Sequence, residues 1–179
     1  MSMRKIIPAT LLALALALGS GAASASDTPN LGQRISEADI KAWDITILPD
    51  GTNLPPGKGT PAEGAKLFAE KGCVACHGEN AKGGSNMALV GNPPIDRIEA
   101  IKTIANFWAN ATTLYDTIRR SMPWAAPRTL SDSEVYALTA YILSLNKIIG
   151  ENDVLDAQSL PKVKMPNRDN FIVRFPDRI

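Results

Sequence analysis

The sequence predicts an all-α domain with an extended N-terminal arm and a C-terminal tail. Two capping boxes each open a run of apolar residues at helical spacing, strand-like alternation is weak throughout, and proline- and glycine-rich stretches flank the helical part. In chain order, residues 26–59 read as the arm, because Pro49-Asp50-Gly51 and Pro55-Pro56-Gly57 mark turns that a helix or central strand cannot hold. Within it, Ser36 to Trp43 reads as a short helix with Ser36 as cap and Ile40 and Trp43 three apart. Thr60-Pro61-Ala62-Glu63 is a capping box with proline at the first helical position, so a helix begins there and stops at Gly72. Ala111 to Arg120 reads as the next firm helix, with Leu114, Tyr115 and Ile118 on one face and two arginines at its negative end. Ile98 to Phe107 also looks helical. Ser131-Asp132-Ser133-Glu134 is the second capping box, followed by Leu138, Tyr141, Ile142 and Leu145. Residues 148–179 are polar and punctuated by Pro161, Pro166 and Pro176, as expected of a tail laid over the domain of residues 60–147.

Residues 1–25 read as a secretory signal peptide. Arg4 and Lys5 precede the apolar stretch Ile6 to Leu18, and Ala23-Ser24-Ala25 fits a cleavage site. The apolar stretch falls short of the ~20 residues a membrane-crossing helix needs. The expected location is therefore the periplasm. Cleavage leaves 154 of the 179 residues, a size for one domain with extensions. It also takes two of the 19 basic side chains and none of the 18 acidic ones, leaving the mature chain near neutral. That balance points away from nucleic acid, and no later stretch is apolar enough to span a membrane.

Cys73-Val74-Ala75-Cys76-His77 is C-x-x-C-H, the attachment sequence of haem c. Two thiols separated by two residues can form thioethers to both vinyl groups of one porphyrin, while the adjacent histidine faces the iron. Three rival readings fit less well. A disulfide leaves the histidine unexplained, a thioredoxin-like redox pair needs a βαβ context, and structural zinc needs four ligands where the chain offers two cysteines and a single histidine. Because His77 is the only histidine, a second histidine ligand from this chain is excluded, leaving methionine, a weaker ligand or an open sixth position. Met1 and Met3 leave with the signal, so the candidates are Met87, Met122 and Met165. Met122 is the preferred ligand, since it precedes Pro123 in a loop between two helices, 45 positions after His77. Met87 is its main rival, in a loop loosened by Gly83-Gly84, and Met165 reads as core packing. Trp108 and Trp124 are expected to wall the haem crevice as hydrophobic bulk. Lys66, Lys71, Lys82, Arg119, Arg120 and Arg128 flank the expected crevice as a cationic rim.

Together, a helix, C-x-x-C-H, Leu89-Val90-Gly91-Asn92-Pro93-Pro94, a methionine-proline loop and a terminal helix over Thr60 to Asn146 resemble the class I cytochromes c. The resemblance implies that the Pro93 carbonyl accepts a hydrogen bond from His77. It also implies that the first helix crosses the terminal one with Gly64 and Phe68 near Tyr141. Ala42-Trp43-Asp44-Ile45, Pro49-Asp50-Gly51, Tyr115 to Pro123 and the tail from Ile148 to Asp169 look like the cytochrome subunits or partners of molybdenum sulfite and sulfane dehydrogenases, of SoxD and SorU type. That likeness implies a one-electron carrier. Its donor would be a periplasmic molybdenum sulfite-type dehydrogenase and its acceptor a downstream cytochrome c or oxidase. A single haem motif favours a detachable carrier over a fixed diheme subunit.

Overall fold

The computed structural model describes residues 32–172, so the expected signal peptide and the first residues of the arm lie outside the described residues. Helix α1, Glu37–Trp43, forms a unit separate from the body that begins at Asp44. Its start is capped: Asp39 N–H donates to Ser36 Oγ at 3.2 Å, and Ser36 N–H donates to Asp39 Oδ2 at 3.1 Å. It buries none of its residues.

The body is helical, as the two capping boxes imply. Helix α2, Pro61–Glu70, opens on Thr60 with both reciprocal bonds of the box in place. Helix α3, Cys73–His77, is the short helix of the C-x-x-C-H motif. Helix α4 is only Ile104–Phe107, not the longer Ile98–Phe107. Ile98 and Ile101 are exposed, and the helix starts instead at a Thr103/Asn106 capping box in which asparagine takes the place of the usual glutamate. Helix α5, Ala111–Ser121, and helix α6, Asp132–Leu145, follow, the latter opened by the Ser131/Glu134 box.

α6 is the central element. It buries eight residues from Val135 to Leu143, and α2 crosses it where Gly64 meets Ala137 and Tyr141. A Cβ at Gly64 would lie 2.0 Å from the Ala137 carbonyl oxygen, so only glycine permits this approach. Tyr115 of α5 and Tyr136 of α6 are fully buried with ring centroids 4.5 Å apart, tilted by 46°. Tilted aromatic pairs of this kind contribute about 0.5–1.5 kcal/mol beyond their buried area. Two short strands, β1 (Lys58–Gly59) and β2 (Leu155–Asp156), pair antiparallel, with Lys58 opposite Asp156 and Gly59 opposite Leu155. Beyond that pairing the tail sends Leu155, Leu160 and Met165 into the core.

Candidate haem site

Gly72 sets the entry to the motif. Its φ of +76° turns the chain sharply between α2 and α3 with open space around it, so glycine is there for its conformation and not for room. The helical turn of α3 then puts Cys73, Cys76 and His77 on the wall of one cleft of about 560 Å³. Phe68, Leu89, Ile118, Met122, Leu138 and Ile142 supply much of the rest of the lining, an apolar set drawn from α2, α5, α6 and the loop after α3. The two cysteines are not bonded to each other, and burial pushes the Cys73 thiol above its ordinary range.

The imidazole of His77 is held from behind. Its Nδ1 lies 3.0 Å from the Met87 carbonyl oxygen. A carbonyl can only accept, so Nδ1 carries the proton and Nε2 keeps its lone pair for a metal. The expected Pro93 carbonyl has a different partner, accepting from Asn106 Nδ2 at 2.8 Å. Pro93 therefore leaves the haem site: it lines a second groove with Asn106, Phe107, Pro166 and Asn167. The Met87 loop is fixed by Asn146 at the end of α6. Its Nδ2 donates to Leu89 O at 3.1 Å, and its Oδ1 accepts from Gly91 N–H at 3.1 Å. Sequence reading missed both groups, since any residue offers a carbonyl and Asn146 looks like an ordinary helix end.

The structure separates the methionines. Met165 is buried in the core. Met87 and Met122 both line the cleft, but Met87 stands behind His77 through its carbonyl, whereas Met122 enters at the C-cap of α5 with its N–H bonded to Ile118 O at 3.0 Å. The two tryptophans diverge. Trp124 lines the cleft mouth yet is 83% exposed, and Trp108 packs half-buried against the core without lining the cleft. Trp108 is thus not a wall of this crevice.

Comparison with known proteins gives a direct match to this geometry. The cytochrome c family model matches residues 61–146, which span every element that lines the cleft. A chain of the sulfane dehydrogenase SoxCD from Paracoccus pantotrophus superposes with a TM-score of 0.73 at 36% identity, over 83% of this chain and 72% of that one. This chain belongs to the cytochrome c family. Its haem c is covalently bound, and the cleft fits it: two thiols, a histidine with a free Nε2 and an apolar lining. A further relative is the cbb3-type cytochrome c oxidase subunit FixP of Bradyrhizobium sp. strain ORS 278, 34% identical over 98 residues. That match takes in 52% of this cytochrome and 31% of FixP, so the chain spans about a third of that relative. No helix among the described residues of the cytochrome is long and apolar enough to cross a membrane.

Bound haem supplies reversible one-electron chemistry at iron. Cys73 and Cys76 would anchor the ring, the Met87 carbonyl would orient the His77 ring, and Phe68, Leu138 and Ile142 would keep water from the buried wall.

Proposed function

We propose that this cytochrome is a periplasmic electron carrier that accepts single electrons from a sulfite- or sulfane-oxidising molybdenum dehydrogenase and passes them to a downstream cytochrome c or oxidase. Cys73 and Cys76 form its thioethers, and His77 and Met122 are its axial ligands. The carrying observation is the reach of the likeness to the SoxCD chain, which takes in 83% of this chain where the family model stops at residues 61–146. A general haem core would share only that core. Methionine ligation raises a haem potential, which suits receipt of electrons from a sulfite-type donor.

A specific feature also favours a second reading, a fixed subunit of such a dehydrogenase. Helix α1 has seven residues and buries none, with Ile40 48% and Trp43 86% exposed. So short a helix is marginal in water without a packing partner. Two measurements on the exported protein decide. Mixing ferric cytochrome with a purified sulfite- or sulfane-oxidising molybdenum dehydrogenase and its substrate should give rapid reduction, and no reduction beyond the substrate-only rate contradicts the donor assignment. Size-exclusion of the native extract then separates a free carrier, eluting near its own mass, from a subunit that travels with the enzyme.

A further inference from the structure

Met122 closes α5, so the seat of its thioether follows the seat of that helix. One side of α5 packs on α6. Another side is crossed by the chain from Ile45 to Pro55, which contains no helix or strand yet is tied down repeatedly. Ile47 N–H donates to Asp116 Oδ1 at 3.3 Å, and Arg119 Nη1 donates to the Ile45 carbonyl at 3.4 Å. At the far end Tyr136 Oη donates to the Pro55 carbonyl at 2.9 Å. Ile47 itself is in the core.

Asp116 stands at the centre of this strap. It is 6% exposed, its Oδ1 takes the Ile47 N–H and its Oδ2 takes the Arg120 guanidinium. It does not line the cleft. A buried carboxylate costs free energy unless it is paired and bonded, and an apolar side chain at this site would pack without that cost. The acid is bonded on both oxygens, so its role here is one of position. Its Oδ1 bond joins the strap backbone to the middle of α5, and its Oδ2 bond, to Arg120 one turn further along the same helix, steadies the carboxylate for that contact.

We propose that Asp116 is a positioning residue for the axial methionine: its bond to the Ile47 N–H, with Arg120 steadying the carboxylate from within α5, fixes the setting of α5 against the strap and so holds the Met122 sulfur toward the iron. This rests on Met122 as ligand. An iron–methionine bond is in equilibrium with a detached form, and an exogenous ligand such as cyanide binds in proportion to the detached fraction. Loosening α5 raises that fraction.

The test compares exported, haem-loaded Asp116→Ala, Asp116→Asn and Arg120→Gln with wild type, reading the ferric methionine-to-iron charge-transfer band and the cyanide dissociation constant. Asp116→Ala should weaken the band and lower the cyanide dissociation constant by about tenfold, as a tenfold larger detached fraction requires. Asp116→Asn keeps an acceptor for Ile47 N–H but, like Arg120→Gln, loses the charge-assisted bond to Arg120, so it should shift by no more than about threefold, well short of alanine. Arg120→Gln removes only the second bond from a half-exposed site and should shift in the same direction by about threefold; it decides the matter alone if Asp116→Ala fails to fold. Wild-type band and cyanide affinity in Asp116→Ala, or in Arg120→Gln where the alanine variant does not fold, overturns the proposal, as does an asparagine variant no better than alanine. Met122→Ala separates the two levels. If it keeps the band the ligand assignment fails, and if it loses the band while the Asp116 and Arg120 variants do not, only the positioning role fails.

Discussion

Met87 and Met122 line the same cleft from different positions, and the Met87 carbonyl accepts from His77 while Met122 is held at the C-cap of α5. The Met87 carbonyl lies behind His77, so its contribution does not depend on its side chain. Met87→Ala should therefore leave the ferric spectrum nearly unchanged, while Met122→Ala should remove the methionine-to-iron band, open the iron to cyanide and lower the potential. Spectra of the two variants with and without cyanide check this, and loss of the band in the Met87 variant alone would reverse the assignment. Cys73→Ala and Cys76→Ala should each fail to hold haem stably, and the double substitution should show no haem stain on a denaturing gel. What could be read from the sequence at this scale was side-chain chemistry: the C-x-x-C-H spacing names its own residues. What could not be read was backbone chemistry. Nothing in the identity of Met87 or Pro93 says which carbonyl meets His77, because the loop path is set by Asn146, 57 residues from the Leu89 carbonyl it holds.

The helices were legible where a cap and a period agreed. Thr60/Glu63 and Ser131/Glu134 both form the boxes their sequences spell, and α2 and α6 start there. Replacing Ser131 by alanine should cost about 1 kcal/mol, read as a lowered denaturant midpoint of the holoprotein. Gly64→Ala should cost about 1–3 kcal/mol or more, since its Cβ meets the Ala137 backbone and not a side chain that can swing away. The capping carboxylates also set a pH dependence. The Thr60 hydroxyl holds Glu63, and Lys71 with the Ser131 cap holds Glu134, below the ordinary value of 4.5. Their folded-state values are depressed, so the stability they give is present above the unfolded value and is lost as pH falls through the lowered one. Acid titration of unfolding should show wild type losing its advantage over Glu134→Gln below about pH 5. The stretch before α4 misled the reading because its isoleucines repeat at helical spacing but face solvent, so periodicity alone carried a helix that packing does not support.

At the scale of the whole molecule, half of the cationic rim read from the sequence is taken up in ion pairs. Lys71 pairs with Glu134 at 2.7 Å, Arg119 with Asp132 at 3.0 Å, and Arg120 with Asp116. Lys66, Lys82 and Arg128 make no ion pair among the described residues. Net charge could be counted in the sequence, whereas pairing is a product of the fold. Reduction by the dehydrogenase should accordingly change by about threefold or less as the Debye length shrinks from ~10 Å at 0.1 M salt to ~3 Å at 1 M. A steep fall would restore charge steering as the docking force. Charge reversal at Lys82 or Arg128 is the clean probe, because Arg119 and Arg120 are committed to structural pairs. Beneath all of this lies the claim that a single covalent haem, seated between His77 and Met122, carries one electron. An anaerobic potentiometric titration of the exported protein, followed at the haem bands and at the methionine-to-iron band, tests it most directly. The expected result is one haem per chain, a single one-electron wave, and a ferric methionine band that is absent from Met122→Ala; a protein without covalent haem, or a band that survives in Met122→Ala, would contradict it.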